Sequence, residues 1–171
     1  FPSLLVNAHF GLTVLLMVST VLALTVAAKH ERWWPIVVLG GVLLTMIQPF
    51  ATAVVGLVGL AWFIVESVRA HTLQRPPLVR LSVFSLTAVP IIGYLFWLMR
   101  ANPHFQQWMS QNVTPSPPIG QWLVGYGLLV PLAAAGIWRG VRRQAEADRL
   151  LLIWLGIHLL VMLTPIDLQR R

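Results

Sequence analysis

The sequence lacks cysteine and contains little charge, and both shortages exclude classes of protein. Without cysteine the chain forms no disulfide, thiolate metal site or thiol nucleophile. Charged residues make up 10% of the 171 residues, against about a quarter in an ordinary soluble domain. Only five residues are acidic, and they form neither a catalytic carboxylate pair nor a metal-ligand spacing. We therefore expect any catalytic carboxylate to lie outside these residues; no cofactor is identifiable, and a divalent metal is left open.

Apolar residues dominate the amino-acid composition. They make up 57% of the chain, mean hydropathy is +0.77, and the apolar runs exceed what one soluble core could bury. A membrane-spanning helix needs about 20 mostly apolar residues. The sequence therefore predicts an all-α, polytopic integral membrane helical bundle with about six membrane segments, at 5–28, 34–48, 50–67, 81–99, 121–138 and 150–164.

The second and third of these segments are separated at a proline. Pro49 removes a backbone donor and disfavours the helical conformation at Gln48, so we place a break there and predict a short helical hairpin. One long, kinked and tilted helix is the alternative. With the break, the basic stretches at 29–32 and 68–80 fall on the same side of the membrane.

The cations are distributed unevenly between the two sets of loops. Nine of the twelve lie in one set, and the other set holds Arg100, Arg170 and Arg171. Cytoplasmic loops are enriched in Lys and Arg, so the net charge of +7 indicates topology and not nucleic-acid binding. Arginine outnumbers lysine eleven to one, which is typical of a GC-rich bacterial genome. We expect an inner-membrane protein with cytoplasmic basic loops and an extracytoplasmic loop at 100–120.

The loop at 100–120 is polar, uncharged after Arg100 and rich in proline. It is longer than most structureless connections, and Phe105 and Trp108 would seat its first half as a short amphipathic helix at the membrane surface. We expect an ordered loop that borders a substrate site. The outer cations have two open explanations, anionic lipid headgroups or the phosphate of a lipid-linked substrate, which arginine binds with two parallel hydrogen bonds.

Three polar residues lie within or beside predicted spans. Glu66 is three residues before Arg69, which is the spacing of an ion pair on a helix. His158 lies in the middle of the sixth apolar run and is expected to bond a neighbouring helix. Alternatively, His158, Gln48 and Glu66 line a path through broken helices.

Four stretches resemble the bacterial GT-C superfamily of polytopic glycosyltransferases, which use polyprenyl-phosphate-linked sugars. They are "NAHFG" opening a span, "MIQPFATAVVGL" as a proline-broken pair, "NPHFQQWMSQNVTPSPPIGQWLVGYGLL" as an outer loop entering a span, and "LLLIWLGIHLLVMLTPIDLQRR". In that superfamily the catalytic Asp lies in the first extracytoplasmic loop, and no such acidic motif occurs here. The resemblance thus implies the middle-to-late membrane portion of a longer chain. It also implies that Arg100, His104, Arg170 and Arg171 face the lipid phosphate or the acceptor.

The leading hypothesis is therefore a glycosyltransferase portion acting on the extracytoplasmic face, with membrane lipids and a polyprenyl-phosphate-linked sugar as partners and no nucleic acid. The alternatives are a segment of a transporter or lipid flippase, and a non-catalytic membrane assembly subunit.

Overall fold

A computed structural model describes residues 2–111 and 118–163, and every regular element within them is a helix. The predicted all-α class is therefore confirmed. The chain divides into two compact units, Phe1–Asn102 and Pro103–Arg171, and each is taken by itself below.

The first unit contains five α-helices joined by short turns of tighter or wider helix. They are α1 Pro2–Leu24, two 3₁₀ turns at Val26–Lys29 and Glu31–Trp33, α2 Trp34–Leu39, a π-helical turn at Gly40–Leu44, α3 Thr45–Ile47, α4 Pro49–Arg69 and α5 Arg75–Ala101. From α2 to α3 the chain runs as one nearly continuous helical segment, the second segment of this unit.

The predicted break before Pro49 is present. Gln48 leaves the helical region with φ −147° and ψ 81°, and Pro49 opens α4 at a position where its missing N–H costs no hydrogen bond. The Gln48 carbonyl accepts the backbone N–H of Thr52, which starts the new helix. A local rule about proline was therefore sufficient to place this boundary.

The segments of the first unit alternate in direction. Leu24 of α1 and Leu81 of α5 lie against Gly59 of α4, and farther along Phe84 lies against Gly56. Residue numbers thus fall along α4 while they rise along α5. Likewise, Thr20 of α1 lies against Gly40.

The second segment and α5 begin at the end of the unit that holds residues 29–34 and run away from it. Helices α1 and α4 run toward that end. This arrangement brings residues 29–34 and 69–80 to the same end of the unit, as the hairpin prediction requires.

Small residues allow the second segment to pass closely between α1 and α5. A Cβ added at Gly40 would overlap the side chain of Thr20, and one at Gly41 would overlap that of Thr87. Thr45 uses its hydroxyl to donate to the carbonyl of Gly41, so its polar group is satisfied within its own segment. Close approach of backbones through glycine is typical of helices packed where no hydrophobic effect drives them together.

The second unit contains α6 Pro103–Gln111, α7 Ile119–Tyr126, α8 Leu129–Arg143 and α9 Glu146–Leu163. Helix α6 matches the short helix expected in the first half of the 100–120 loop. The predicted fifth segment, 121–138, differs: the structure divides it at Gly127, whose φ is +47°. A glycine tolerates that conformation at no steric cost, and the helix ends there.

Two of the described helices, Pro49–Arg69 and Arg75–Ala101, are long and apolar enough to cross a membrane. Phe10–Leu24 is a shorter apolar helix. The remaining segments of the predicted six stay predictions, and residue 164 of the sixth lies outside the described residues.

Candidate functional site

The predicted site residue Arg100 lies in the last turn of α5. Its guanidinium carbon is 4.2 Å from the centre of the Phe96 ring, which is within the range of a cation–π contact. The side chain is exposed. Arg100 is therefore held over an aromatic face at the end of α5 that is opposite to Arg75.

The other three predicted site residues follow Arg100 in the sequence, and all three belong to the second unit. His104 is exposed on α6, in the second unit. Arg170 and Arg171 lie outside the described residues. A shared site for these four residues stays a prediction.

A cavity of about 390 Å³ opens at the other end of the first unit. We call it the basic cavity. It is lined by Ala28, Lys29, Glu31, Trp34, Arg75, Pro76, Val79 and Arg80. Three cations thus face one carboxylate across a space formed by the 3₁₀ turns, α2 and the first turns of α5.

Arg80 is the residue that holds the two walls of this cavity together. It is 1% exposed, and its guanidinium donates to the carbonyl of Ala23 at 3.1 Å and to the carbonyl of His30. Its guanidinium carbon lies 4.8 Å from the centre of the Trp34 ring. The carbonyls at the end of a helix have no partner in their own helix. Arg80 therefore donates a hydrogen bond to a carbonyl in the last turn of α1 that lacks a partner within that helix.

Sequence reasoning assigned Arg80 to a basic loop and missed this role. The available signal was its position, since Arg80 is followed by the uncharged run 81–99 and preceded by apolar Leu78 and Val79. Such a position favours a helical residue more than a loop residue. Its burial, however, depends on which helix packs beside it.

Among the three polar candidates for a membrane path, His158 has a hydrogen-bonding partner in its own helix. A ring nitrogen of His158 lies 3.0 Å from the carbonyl of Trp154, and the two rings stack. The partner of His158 thus lies in its own helix, whereas the sequence predicted a partner in a neighbouring helix. Glu66 and Arg69 both lie at the end of α4, and their ion pair stays a prediction.

A second basic surface lies in the second unit, on α8. It is lined by Ala135, Trp138, Arg139, Arg142 and Arg143. Arg142 lies over the Trp138 ring at 4.1 Å, and Arg143 is 3.9 Å from Asp148. All five lining residues come from one helix, and Asp148 balances part of the charge.

No group of three or more His, Asp or Glu residues suited to a metal ion occurs within the described ranges, 2–111 and 118–163. Comparison of the chain with protein-family models, with curated proteins and with solved structures finds no match.

Proposed function

We propose that the chain is part of an integral membrane protein and that its helices face lipid. The observation that carries this proposal is the apolar exterior of α5. Leu86, Val89 and Trp97 are 73%, 61% and 61% exposed, and residues 81–99 carry no charge. Water-soluble proteins rarely expose apolar patches of this extent. A lipid environment makes the exposure favourable.

The helix dimensions support the same proposal. A bilayer core is about 30 Å thick, and at about 1.5 Å per residue the 21 residues of α4 and the 27 residues of α5 are long enough to cross it. Charges on both helices are confined to their ends. The basic cavity would then lie at the cytoplasmic surface and Arg100 at the opposite surface.

We further propose that the whole protein is a glycosyltransferase that uses a polyprenyl-phosphate-linked sugar on the extracytoplasmic face. Support comes from the resemblance of four stretches to the GT-C superfamily and from the placement of Arg100. In such a transfer the bond from the sugar C1 to the phosphate oxygen breaks, and a bond from C1 to an acceptor oxygen forms. The leaving group is a polyprenyl phosphate.

In this proposal the role of the chain is binding. Arg100 is fixed over Phe96 and can donate two hydrogen bonds to a phosphate. Phe96 and exposed Trp97 provide an apolar surface for the first isoprene units. The base that activates the acceptor would come from a carboxylate elsewhere in the full-length protein.

The test uses the full-length protein in proteoliposomes with a radiolabelled polyprenyl-phosphate sugar. Arg100→Gln is expected to raise KM for the donor by about tenfold or more, since a hydrogen bond to a charged group contributes about 1.5–3 kcal/mol. Arg100→Lys should recover only part of that loss, and the exposed cation Arg32, changed to Gln, is the control. An absence of sugar transfer by the wild-type protein, or an unchanged KM for Arg100→Gln, would overturn the proposal.

The transporter or flippase alternative ranks second, and the assembly-subunit alternative third. A path through the bilayer needs polar groups that are available to a substrate. A ring nitrogen of His158 has a partner within its own helix, which leaves His158 less suited to that task. Loss of transport in a combined variant of His158, Gln48 and Glu66 would favour the alternative.

A further inference from the structure

The basic cavity has no role in the proposed sugar transfer, because it lies at the opposite end of α5 from Arg100. We propose that it binds the phosphate group of a phosphate ester, either the headgroup of an anionic membrane lipid or a soluble ester. The inference does not depend on the transfer reaction. Only a lipid headgroup as the ligand requires that the chain be inserted in a membrane.

The first reason is the charge of the lining. Lys29, Arg75 and Arg80 face a single carboxylate, Glu31, so two positive charges are uncompensated. Like charges that line one cavity repel one another, and an anion relieves that repulsion.

The second reason is that two of these cations have side chains available for a ligand. Lys29 and Arg75 are exposed, and their side chains make no hydrogen bond or ion pair with any described residue. They come from different segments, a 3₁₀ turn and the first turn of α5. A ligand between them is therefore held from two sides.

The third reason is that Arg80, the third cation of the lining, is held in place. Arg80 is bonded to the carbonyls of Ala23 and His30 and covered by Trp34. It is 1% exposed, so it contributes a fixed positive charge and not the main contacts. The N-terminus of α5 adds its dipole, although Pro76 and Pro77 supply no N–H.

The remaining wall explains why an ester fits better than a bare ion. Trp34, Pro76 and Val79 present apolar surface beside the cations. A phosphate ester places its charged group on Lys29 and Arg75 and its organic group against that wall. Basic pockets between membrane helices on the cytoplasmic side bind phosphorylated lipid headgroups in this way.

The experiment measures binding to the purified full-length protein with two probes. One is a fluorescent phosphatidylglycerol in nanodiscs of phosphatidylcholine, and the other is soluble glycerol phosphate added as a competitor. We expect Lys29→Gln and Arg75→Gln each to weaken binding about fivefold, the effect of one cation near an anionic group. Glu31→Gln should tighten binding by a similar factor, a gain that misfolding cannot produce.

The control is the double variant Arg32→Gln with Arg69→Gln, which removes two cations from the same end of the unit without touching the lining. It should leave binding within about twofold of the wild type, the size of a screened surface effect. Specific uptake of the lipid, without competition by glycerol phosphate, assigns a lipid headgroup as the ligand. Competition at low concentration assigns a soluble ester.

Two results would overturn the inference. One is equal loss of binding in the control double variant and in the cavity variants, which would mean general surface electrostatics. The other is unchanged binding when Lys29, Arg75 and Glu31 are substituted.

Discussion

Arg80 donates a hydrogen bond to the carbonyl of Ala23 at 3.1 Å, although 57 residues separate the two in sequence. The bond joins the first turns of α5 to the last turn of α1. A second bond from the same guanidinium reaches His30 in the turn that follows α1. One buried side chain therefore connects the beginning of the fourth helical segment to the end of the first.

Replacement of Arg80 is expected to destabilise the first unit. Arg80→Met keeps most of the side-chain volume but leaves the carbonyls of Ala23 and His30 without this donor, and removes the cation over Trp34. Loss of hydrogen bonds to a charged group costs about 2–4 kcal/mol in the free energy of unfolding. The measurement is a denaturation titration of the purified protein. Arg32→Met, at an exposed cation of the same end, should change stability by about 0.5 kcal/mol or less, and an equal effect of the two variants would contradict the role of Arg80.

A side chain at Gly41 should also destabilise the unit, since the second segment passes closest to its neighbours there. The added Cβ of Gly41→Ala would overlap Thr87 and lie 3.1 Å from the carbonyl oxygen of Phe84. Overpacking of this kind costs about 1–3 kcal/mol.

The matched control for Gly41→Ala is Gly93→Ala on α5, where nothing lies within 4 Å of an added Cβ. Because alanine favours a helix over glycine by about 0.5–1 kcal/mol, that control should be neutral or stabilising. Thermal unfolding of both variants in the same detergent is the measurement. Gly41→Ala should lower the unfolding temperature, and Gly93→Ala should leave it unchanged or raise it. Equal shifts would mean that the two helices do not approach closely at Gly41.

Gly127 is expected to resist substitution because of its backbone conformation. Its φ of +47° lies where a residue with a Cβ is strained, so Gly127→Ala should cost about 1–3 kcal/mol. Gly125→Ala, two residues earlier in α7 and with open space around the added Cβ, is the control. Circular dichroism and thermal unfolding measure both. A rise in helicity without loss of stability in Gly127→Ala would show that 121–138 prefers to be one helix.

The direction of the helical segments can be tested by cysteine labelling, because every single-cysteine variant of this cysteine-free chain carries one thiol. In sealed vesicles an impermeant maleimide should reach His30→Cys and Thr72→Cys from one side and Ala101→Cys from the other. Leu86→Cys, in the middle of the apolar exterior of α5, should stay unlabelled. Labelling of positions 30 and 72 from different sides would contradict the alternating arrangement. Rapid labelling at position 86 would contradict membrane insertion.

The break before Pro49 was predictable because it follows from local backbone chemistry. Pro49 limits the conformation of the residue before it, whatever packs nearby. The division at Gly127 was not predicted. A glycine inside an apolar run is compatible with a continuous helix, and the sequence "GYG" has no feature that selects which glycine takes a positive φ.

The candidate site residues also differ in whether the sequence alone could single them out. Arg100 was singled out because a cation at the far end of an apolar run is visible in the sequence. Lys29, Arg75 and Arg80 were counted only as loop charges, since nothing near them in sequence indicates that they line one space. Their separation along the chain means that only the packing of α1, α2 and α5 brings them together.

The sequence by itself determined that the chain is helical, where prolines interrupt the helices, and that charge lies at the ends of apolar runs. These properties depend on each residue and its immediate neighbours. The tertiary structure decided which cation is buried and which is exposed at the start of α5: Arg80 is covered by Trp34 and bonded to Ala23, while Arg75, five residues earlier, remains exposed. That difference arises because α5 turns one face toward α1 and the other away from it, and only contact between distant helices determines which face is which.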